Sequence, residues 1–252
     1  MVVSLIRKIV PARWRPVGYL YRKTFVASGG RVVTGPFAGL KYINNSYGSC
    51  YVPKLLGIYE RELHAEVEEA CAAKPALIVD IGAAEGYYAV GLARRLPNAR
   101  VLAFEMSDEG RSQIMEMVKI NDCQNRIEIR GKCETADLQT ALAGGGKGAL
   151  VVCDCEGYEN ILLDPATVPA LKQAMMLVEL HDIFEPGTAE RITERFAPTH
   201  DIQRIWSIPR DPSEYPYRST YLRLLPRRYM EFSVSEWRPA PMSWLWMKPM
   251  GS

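Results

Sequence analysis

The chain has 252 residues, 48% of them hydrophobic and 24% charged, with a net charge of +2. That composition suits a soluble globular protein of one large domain, or of one domain with an added segment, long enough to bury a substantial core. A charge so close to neutral argues against a nucleic-acid partner, and no apolar run approaches the length that spans a membrane.

Residues 1–74 read as an N-terminal extension. Its opening, MVVSLIRKIVPARWRPVGYLYRK, sets Arg7, Lys8, Arg13, Arg15, Arg22 and Lys23 among Leu5, Ile6, Ile9, Trp14 and Tyr19. It lacks the long uncharged stretch and small-residue cleavage site of a secretory signal. A short docking helix broken by Pro11 and Pro16 is the expectation, with weak contact between residues 1–25 and an anionic membrane surface as the sharper alternative. RVVTGPFAGLKYI (31–43) predicts two short strands around a Gly-Pro turn. LLGIYERELHAEVEEACAA (55–73) predicts one helix, with Leu63, Val67, Ala70 and Cys71 on a stripe and Pro75 ending it.

From residue 76 strands and helices alternate. ALIVDIG, RVLAFEM, RIEIRG, GALVVCDCEG and AMMLVELHD read as five apolar strands. GYYAVGLARRL, DEGRSQIMEMVKIN, a short segment from Glu134 to Leu142, a helix begun by Asp164-Pro165, and GTAERITERFA read as the intervening helices. HDIQRIWSI and MSWLWMKP supply sixth and seventh strands, separated by a Pro-, Tyr-, Arg- and Trp-rich segment at 210–240 that reads as a loop or hairpin. Repeated βα units with apolar strands imply a doubly wound, Rossmann-like, mostly parallel seven-stranded sheet with helices on both faces. Six cysteines (Cys50, Cys71, Cys123, Cys133, Cys153, Cys155) form no CxxC pair, which fits reduced thiols in the cytoplasm.

The first strand ends in Asp80-Ile81-Gly82-Ala83-Ala84-Glu85-Gly86. A dinucleotide fingerprint wants a middle glycine that is absent, and a P-loop wants a lysine and a hydroxyl that are absent too. Acids at Asp80 and Glu85 suit a cationic, phosphate-free ligand, and S-adenosylmethionine carries an ammonium and a sulfonium. Glu105 ends the second strand and can accept both ribose hydroxyls.

These motifs, VDIGAAEG, AFE and VVCDCEGYE, with LVELHD one unit later, resemble class I S-adenosylmethionine-dependent methyltransferases over about 76–205 and the last strand. The last two look like the FkbM-type group, which mostly methylates hydroxyl oxygens of sugars and polyketides. The resemblance implies a methyltransferase domain over 75–252. It implies a methionine-binding loop at Asp80, Gly82, Ala83, Glu85 and Gly86, ribose on Glu105, adenine against Met106, and an adenine edge near Lys132, Cys133 or Glu134. The family usually has Asp or Asn at that edge, and commonly three glycines in the loop, so this chain departs at both places.

Ligands of open α/β sheets bind at the carboxyl ends of the strands. There the fourth strand ends in Asp154-Cys155-Glu156-Gly157 and the fifth in Glu179-Leu180-His181-Asp182. A hydroxyl acceptor needs its proton removed as the methyl is transferred, and His181 is the expected base, oriented by Asp154 or Glu179. Asp154, Glu179, His181 and Asp182 could instead hold Mg2+, although no metal is assigned. Asp154 also borders the cofactor, and Glu156, Tyr59, Arg210, Tyr215, Tyr217, Arg218 and Trp237 are the substrate-side candidates, with the extension as a cover and the 210–240 insertion beside the substrate. The expected partner is a small molecule; a homodimer is compatible. Two other readings are an N- or carboxyl-methyltransferase acting on a peptide or protein, and a non-catalytic binding module of the same fold.

Overall fold

The computed structural model describes residues 16–47, 50–144, 146–217, 220, 224, 226–238 and 240–251. The chain divides into two compact units, Met1–Arg61 with Ile208–Arg238, and Glu62–Ser207 with Pro239–Ser252. The basic opening, as far as residue 15, lies outside the described residues.

In the first unit, α1 spans Pro16–Ala27 and α2 spans Tyr51–Leu56. Between them the two expected strands reduce to a single bridge, Arg31 to Lys41. The reason is a rival set of partners: Val33 and Thr34 donate their N–H groups to Leu55 and Leu56 at the end of α2 rather than to a neighbouring strand. The helix expected across 55–73 is also interrupted. Gly57 ends α2 with φ 75, and a Cβ there would lie 2.0 Å from the Thr34 carbonyl oxygen. Only glycine can end the helix and admit that backbone.

The second unit includes α3, His64–Ala72, although the sequence pattern groups these residues with the extension. Then follow β1 (Leu77–Ile81), α4 (Tyr87–Arg95), β2 (Arg100–Phe104), α5 (Asp108–Ile120), β3 (Ile127–Arg130), α6 (Thr135–Ala141), β4 (Ala149–Cys153), α7 (Glu159–Leu162), β5 (Met175–Leu180), α8 (Thr188–Phe196) and β6 (His200–Trp206). After the excursion through the first unit, β7 (Ser243–Pro249) completes a sheet of order β3-β2-β1-β4-β5-β7-β6. The pairs among β1–β5 are parallel, and β7 is antiparallel to both β5 and β6. This is a doubly wound, Rossmann-like α/β sheet. The strand order runs outward in both directions from β1 and β4, and crossovers of the right-handed kind general to parallel sheets place the helices of the two halves on opposite faces.

One expected helix is replaced. Asp164 caps a turn, accepting from the Ala166 N–H at 2.9 Å, and a 3-10 segment at Pro169–Gln173 follows in place of an α-helix. The short helix of that crossover, α7, lies just before Asp164. The core of the sheet includes Val79, Ile81, Leu102, Val151, Met176, Val178, Leu245 and Met247. On α3, Glu69 accepts from Trp246 Nε1 and from Lys248 Nζ, both at 2.9 Å, fixing the helix to β7. No helix among the described residues is long and apolar enough to cross a membrane.

The 210–240 segment holds a 3-10 turn at Pro212–Glu214 and α9, Arg227–Val234. Ile208–Arg238 belongs with the N-terminal residues, joined by a buried ionic network. Arg238 pairs with Glu60 at 2.9 Å and Glu236 at 3.0 Å, while Arg210 pairs with Glu236 at 2.5 Å. Removing either partner of such a buried pair strands the other without solvent.

Candidate functional site

The strand order reverses between β1 and β4, and the carboxyl ends of these strands lie side by side. Gly82 leaves β1 with φ 82, and a Cβ on it would sit 1.6 Å from the Asp154 carbonyl oxygen. The β1 loop and the segment after β4 are therefore in backbone contact. Gly82 and Ala83 donate N–H groups to the Phe104 carbonyl at 2.9 and 3.0 Å. Glu105 completes this connection: Oε2 accepts from the Ala84 N–H at 2.9 Å and Oε1 from the Ser107 N–H at 2.7 Å. A carboxylate has about four lone-pair sites, so each oxygen can accept one further hydroxyl. Asp80, Glu85 and Glu105 are all buried, whereas Met106 beside them is exposed. Two buried acids, Asp80 and Glu85, and no basic residue across 80–86 make a poor phosphate cradle and a good one for a cation.

Further along this edge, Cys133 is buried in the core. Glu134 is exposed and caps α6, its N–H donating to Asp137. Its carboxyl pairs with Lys132 at 2.7 Å and accepts from Tyr158 Oη at 2.9 Å, and these partners hold it below its ordinary range.

The acids after β4 and the histidine after β5 meet around one side chain. His181 is buried, and its Nδ1 lies 2.7 Å from Glu159 Oε1. Glu159 is fully buried at the start of α7. The same Oε1 also accepts from the Cys155 and Gly157 N–H groups at 3.3 Å each. These bonds hold a turn in which Glu156 has φ 55, a conformation uncommon outside glycine. Burial would raise the Glu159 pKa, but the hydrogen bond and charge of His181 outweigh it and lower the value below 4.5. Burial would lower the His181 pKa, but the Glu159 bond and the charges of Glu159, Glu179 and Glu156 raise it above 6.5. An ionised Glu159 only accepts, so Nδ1 carries the proton and neutral His181 presents a lone pair at Nε2. Nε2 faces Asp154 Oδ1 at 3.5 Å and Glu156 Oε2 at 3.7 Å, both on side chains open to solvent. Phe184 stacks on the imidazole, with ring centroids 5.9 Å apart.

The carboxylate bonded to the His181 ring is thus Glu159, and not the Asp154 or Glu179 that the sequence suggests. Asp154 lies on the Nε2 side, and Glu179 is buried on β5 opposite Trp244. Glu159 has the look of a first-turn helix acid in the sequence; the bend at Glu156-Gly157, which turns it back onto His181, has no sequence signature. Asp182 points away, accepting from the Ala189 N–H at 3.1 Å and pairing with Arg204 at 3.2 Å.

The other substrate-side candidates belong to the first unit. Tyr59 lies under Lys54 Nζ, 4.9 Å from the ring centroid. Tyr215 is buried, 3.0 Å from Thr24 Oγ1, with its pKa pushed up to about 12 by burial. Tyr217 meets Tyr215 edge-on, and Trp237 stacks on Phe232 with centroids 4.9 Å apart. Arg210 is taken up by the ionic network with Glu236. Arg218 lies outside the described residues.

No protein-family description and no curated protein matches this sequence. Among solved structures, an O-methyltransferase from Bacillus cereus in complex with SAH is similar at 13% identity and a TM-score of 0.46, over 98% of this chain and 97% of that one. The O-methyltransferase TomG from Streptomyces achromogenes, involved in tomaymycin synthesis and in complex with SAM, is similar at 13% identity and a TM-score of 0.47, over 98% and 95%. A precorrin-6y C5,15-methyltransferase from Geobacter metallireducens is similar at 12% identity and a TM-score of 0.47, over 73% and 87%. Such identities and scores mark distant likenesses.

Proposed function

We propose that this chain is a cytoplasmic S-adenosylmethionine-dependent methyltransferase of the class I kind, with FkbM-type motifs, that methylates a hydroxyl oxygen of a small molecule. The observation that carries the proposal is the pairing, at one sheet edge, of an acid-lined glycine loop with a buried Glu159–His181 dyad. The loop fits a cationic ligand: Gly82 admits no side chain against Asp154, and Glu105 is held rigidly by two backbone N–H groups. Asp80 would hold the ammonium group, Glu105 the ribose hydroxyls, and Met106 the adenine face. When bound, S-adenosylmethionine supplies an electrophilic methyl group.

The chain's own residues supply the rest. An alcohol is a weak nucleophile at neutral pH, and a base positioned on its proton typically contributes 10²–10⁴-fold. His181 Nε2 accepts that proton as the new C–O bond forms. Glu159 holds the ring through Nδ1 and stabilises the imidazolium that results. Asp154 and Glu156 lie beside Nε2, where they orient the acceptor and disfavour an anionic one.

Release of S-adenosylhomocysteine in the presence of a panel of hydroxyl-bearing small molecules tests this directly. His181→Ala should abolish release while cofactor binding persists. Full activity of that variant would remove His181 from the mechanism.

A further inference from the structure

We propose that Asp154, Glu156 and His181 also form a binding site for one borderline divalent cation, with Zn2+ the best match. One atom from each lies within 4.8 Å of the other two. Nε2 stands 3.5 Å from Asp154 Oδ1 and 3.7 Å from Glu156 Oε2. Tetrahedral bonds of about 2.0–2.1 Å place neighbouring ligand atoms about 3.3–3.4 Å apart, so small side-chain rotations bring all three to bonding distance. Two carboxylates alone would not make a site. The independent feature is His181: its ring is buried, it is aimed between the two acids, and its Nε2 makes no hydrogen bond to any described residue. Its other nitrogen is engaged by Glu159 at 2.7 Å, the carboxylate–imidazole arrangement that fixes a metal-binding histidine in the correct tautomer. An imidazole ligand favours Zn2+ over Mg2+ or Ca2+, which prefer oxygen alone. Asp154 Oδ1 is itself buried, while the Glu156 side chain is open to solvent, which gives an ion a route in and leaves its fourth position for water.

This site uses the same lone pair that the methyl-transfer proposal assigns to the base, and its consequence for activity rests on that proposal. An ion on Nε2 leaves no lone pair for the acceptor proton, so Zn2+ acts as an inhibitor and a chelator restores transfer.

The test is binding of Co2+ as a visible probe and of Zn2+ by calorimetry, on the full chain. One equivalent should bind, with the absorption of a four-coordinate Co2+ site that Zn2+ displaces. Glu156→Gln and His181→Gln should each weaken binding at least tenfold, and Cys155→Ser should leave it unchanged. No binding at about 100 µM, or binding lost in Cys155→Ser and kept in Glu156→Gln, overturns the site; the second outcome means thiol capture. If Zn2+ binds as stated but the chelated protein transfers no methyl group to any acceptor, the methyl-transfer proposal fails and the site stands.

Discussion

Changing Glu159 to Gln probes the dyad with the least disturbance of shape. Glu159 is fully buried, and its Oε1 serves His181 Nδ1 and two backbone N–H groups. Glutamine keeps the volume and an accepting oxygen but removes the charge. A hydrogen bond to a charged group contributes about 1.5–3 kcal/mol and a neutral one about 0.5–1.5 kcal/mol, so the imidazolium formed during transfer loses about 1–1.5 kcal/mol of support. That is roughly tenfold in kcat. The pH dependence gives a sharper readout. His181 acts as a base only when neutral, and its pKa is raised above 6.5, so activity should climb with pH through that raised value. The charges that raise it come from Glu159 first, then Glu179 and Glu156. Without the Glu159 charge the imidazolium is less stable and the pKa falls, so the rising limb should move to lower pH while the plateau drops. The assay is initial rate against pH for both proteins, with a chelator present to keep Nε2 free of metal ions. A limb that stays in place, or a plateau equal to that of the unchanged protein, would refute the dyad.

Three further outcomes follow from the structure. Gly82→Ala forces a Cβ into the Asp154 carbonyl at a positive φ, and should cost at least about 2 kcal/mol, or about 4–8 °C in Tm, read by thermal unfolding. Arg210→Met leaves Glu236 short of a buried partner and should destabilise by about 3 kcal/mol in urea; a loss confined to acceptor KM would instead make Arg210 a substrate contact. His200 is buried and donates to the Ala174 carbonyl at 3.0 Å, and burial lowers its pKa below 6.5. The unfolded chain therefore takes up a proton near pH 6.5 while the folded one resists, so stability is full above that pH and falls as pH drops towards the folded pKa. His200→Gln should shrink the difference between urea midpoints at pH 7.5 and 5.5, and an unchanged difference would count against this linkage.

Much of the sheet is legible in the sequence because its central strands β1, β2, β4 and β5 are largely apolar runs, β3 and β6 alternate apolar and polar residues, and its helices are amphipathic. Those periodicities place β1 to β7 and α4, α5 and α8 near their observed limits. What was illegible depends on contacts between distant residues. The break at Gly57 exists because the Thr34 backbone occupies the space beside it. The 31–43 segment pairs with itself only around the Arg31–Lys41 bridge, because Val33 and Thr34 donate to Leu55 and Leu56 of α2. The grouping of 208–238 with the N-terminal residues is held by Glu60, Arg210, Glu236 and Arg238, four charges that composition assigns to the surface, together with the Thr24–Tyr215 hydrogen bond and the Arg61–Glu214 pair. At the site, strand-end reasoning places Asp154 and His181 correctly at neighbouring edges. It misses Glu159, whose role depends on a positive-φ turn at Glu156 that turns the chain back towards His181.

The central claim is that the loop from Asp80 to Gly86 takes a cationic, phosphate-free ligand. Calorimetric titration with S-adenosylmethionine, and in parallel with NAD+ and ATP, tests it most directly. The expected result is one equivalent of S-adenosylmethionine bound, weakened at least tenfold by Glu105→Ala, with no heat from the two phosphate-bearing ligands. Binding of NAD+ or ATP at this loop, or no S-adenosylmethionine bound at about 1 mM, would contradict it.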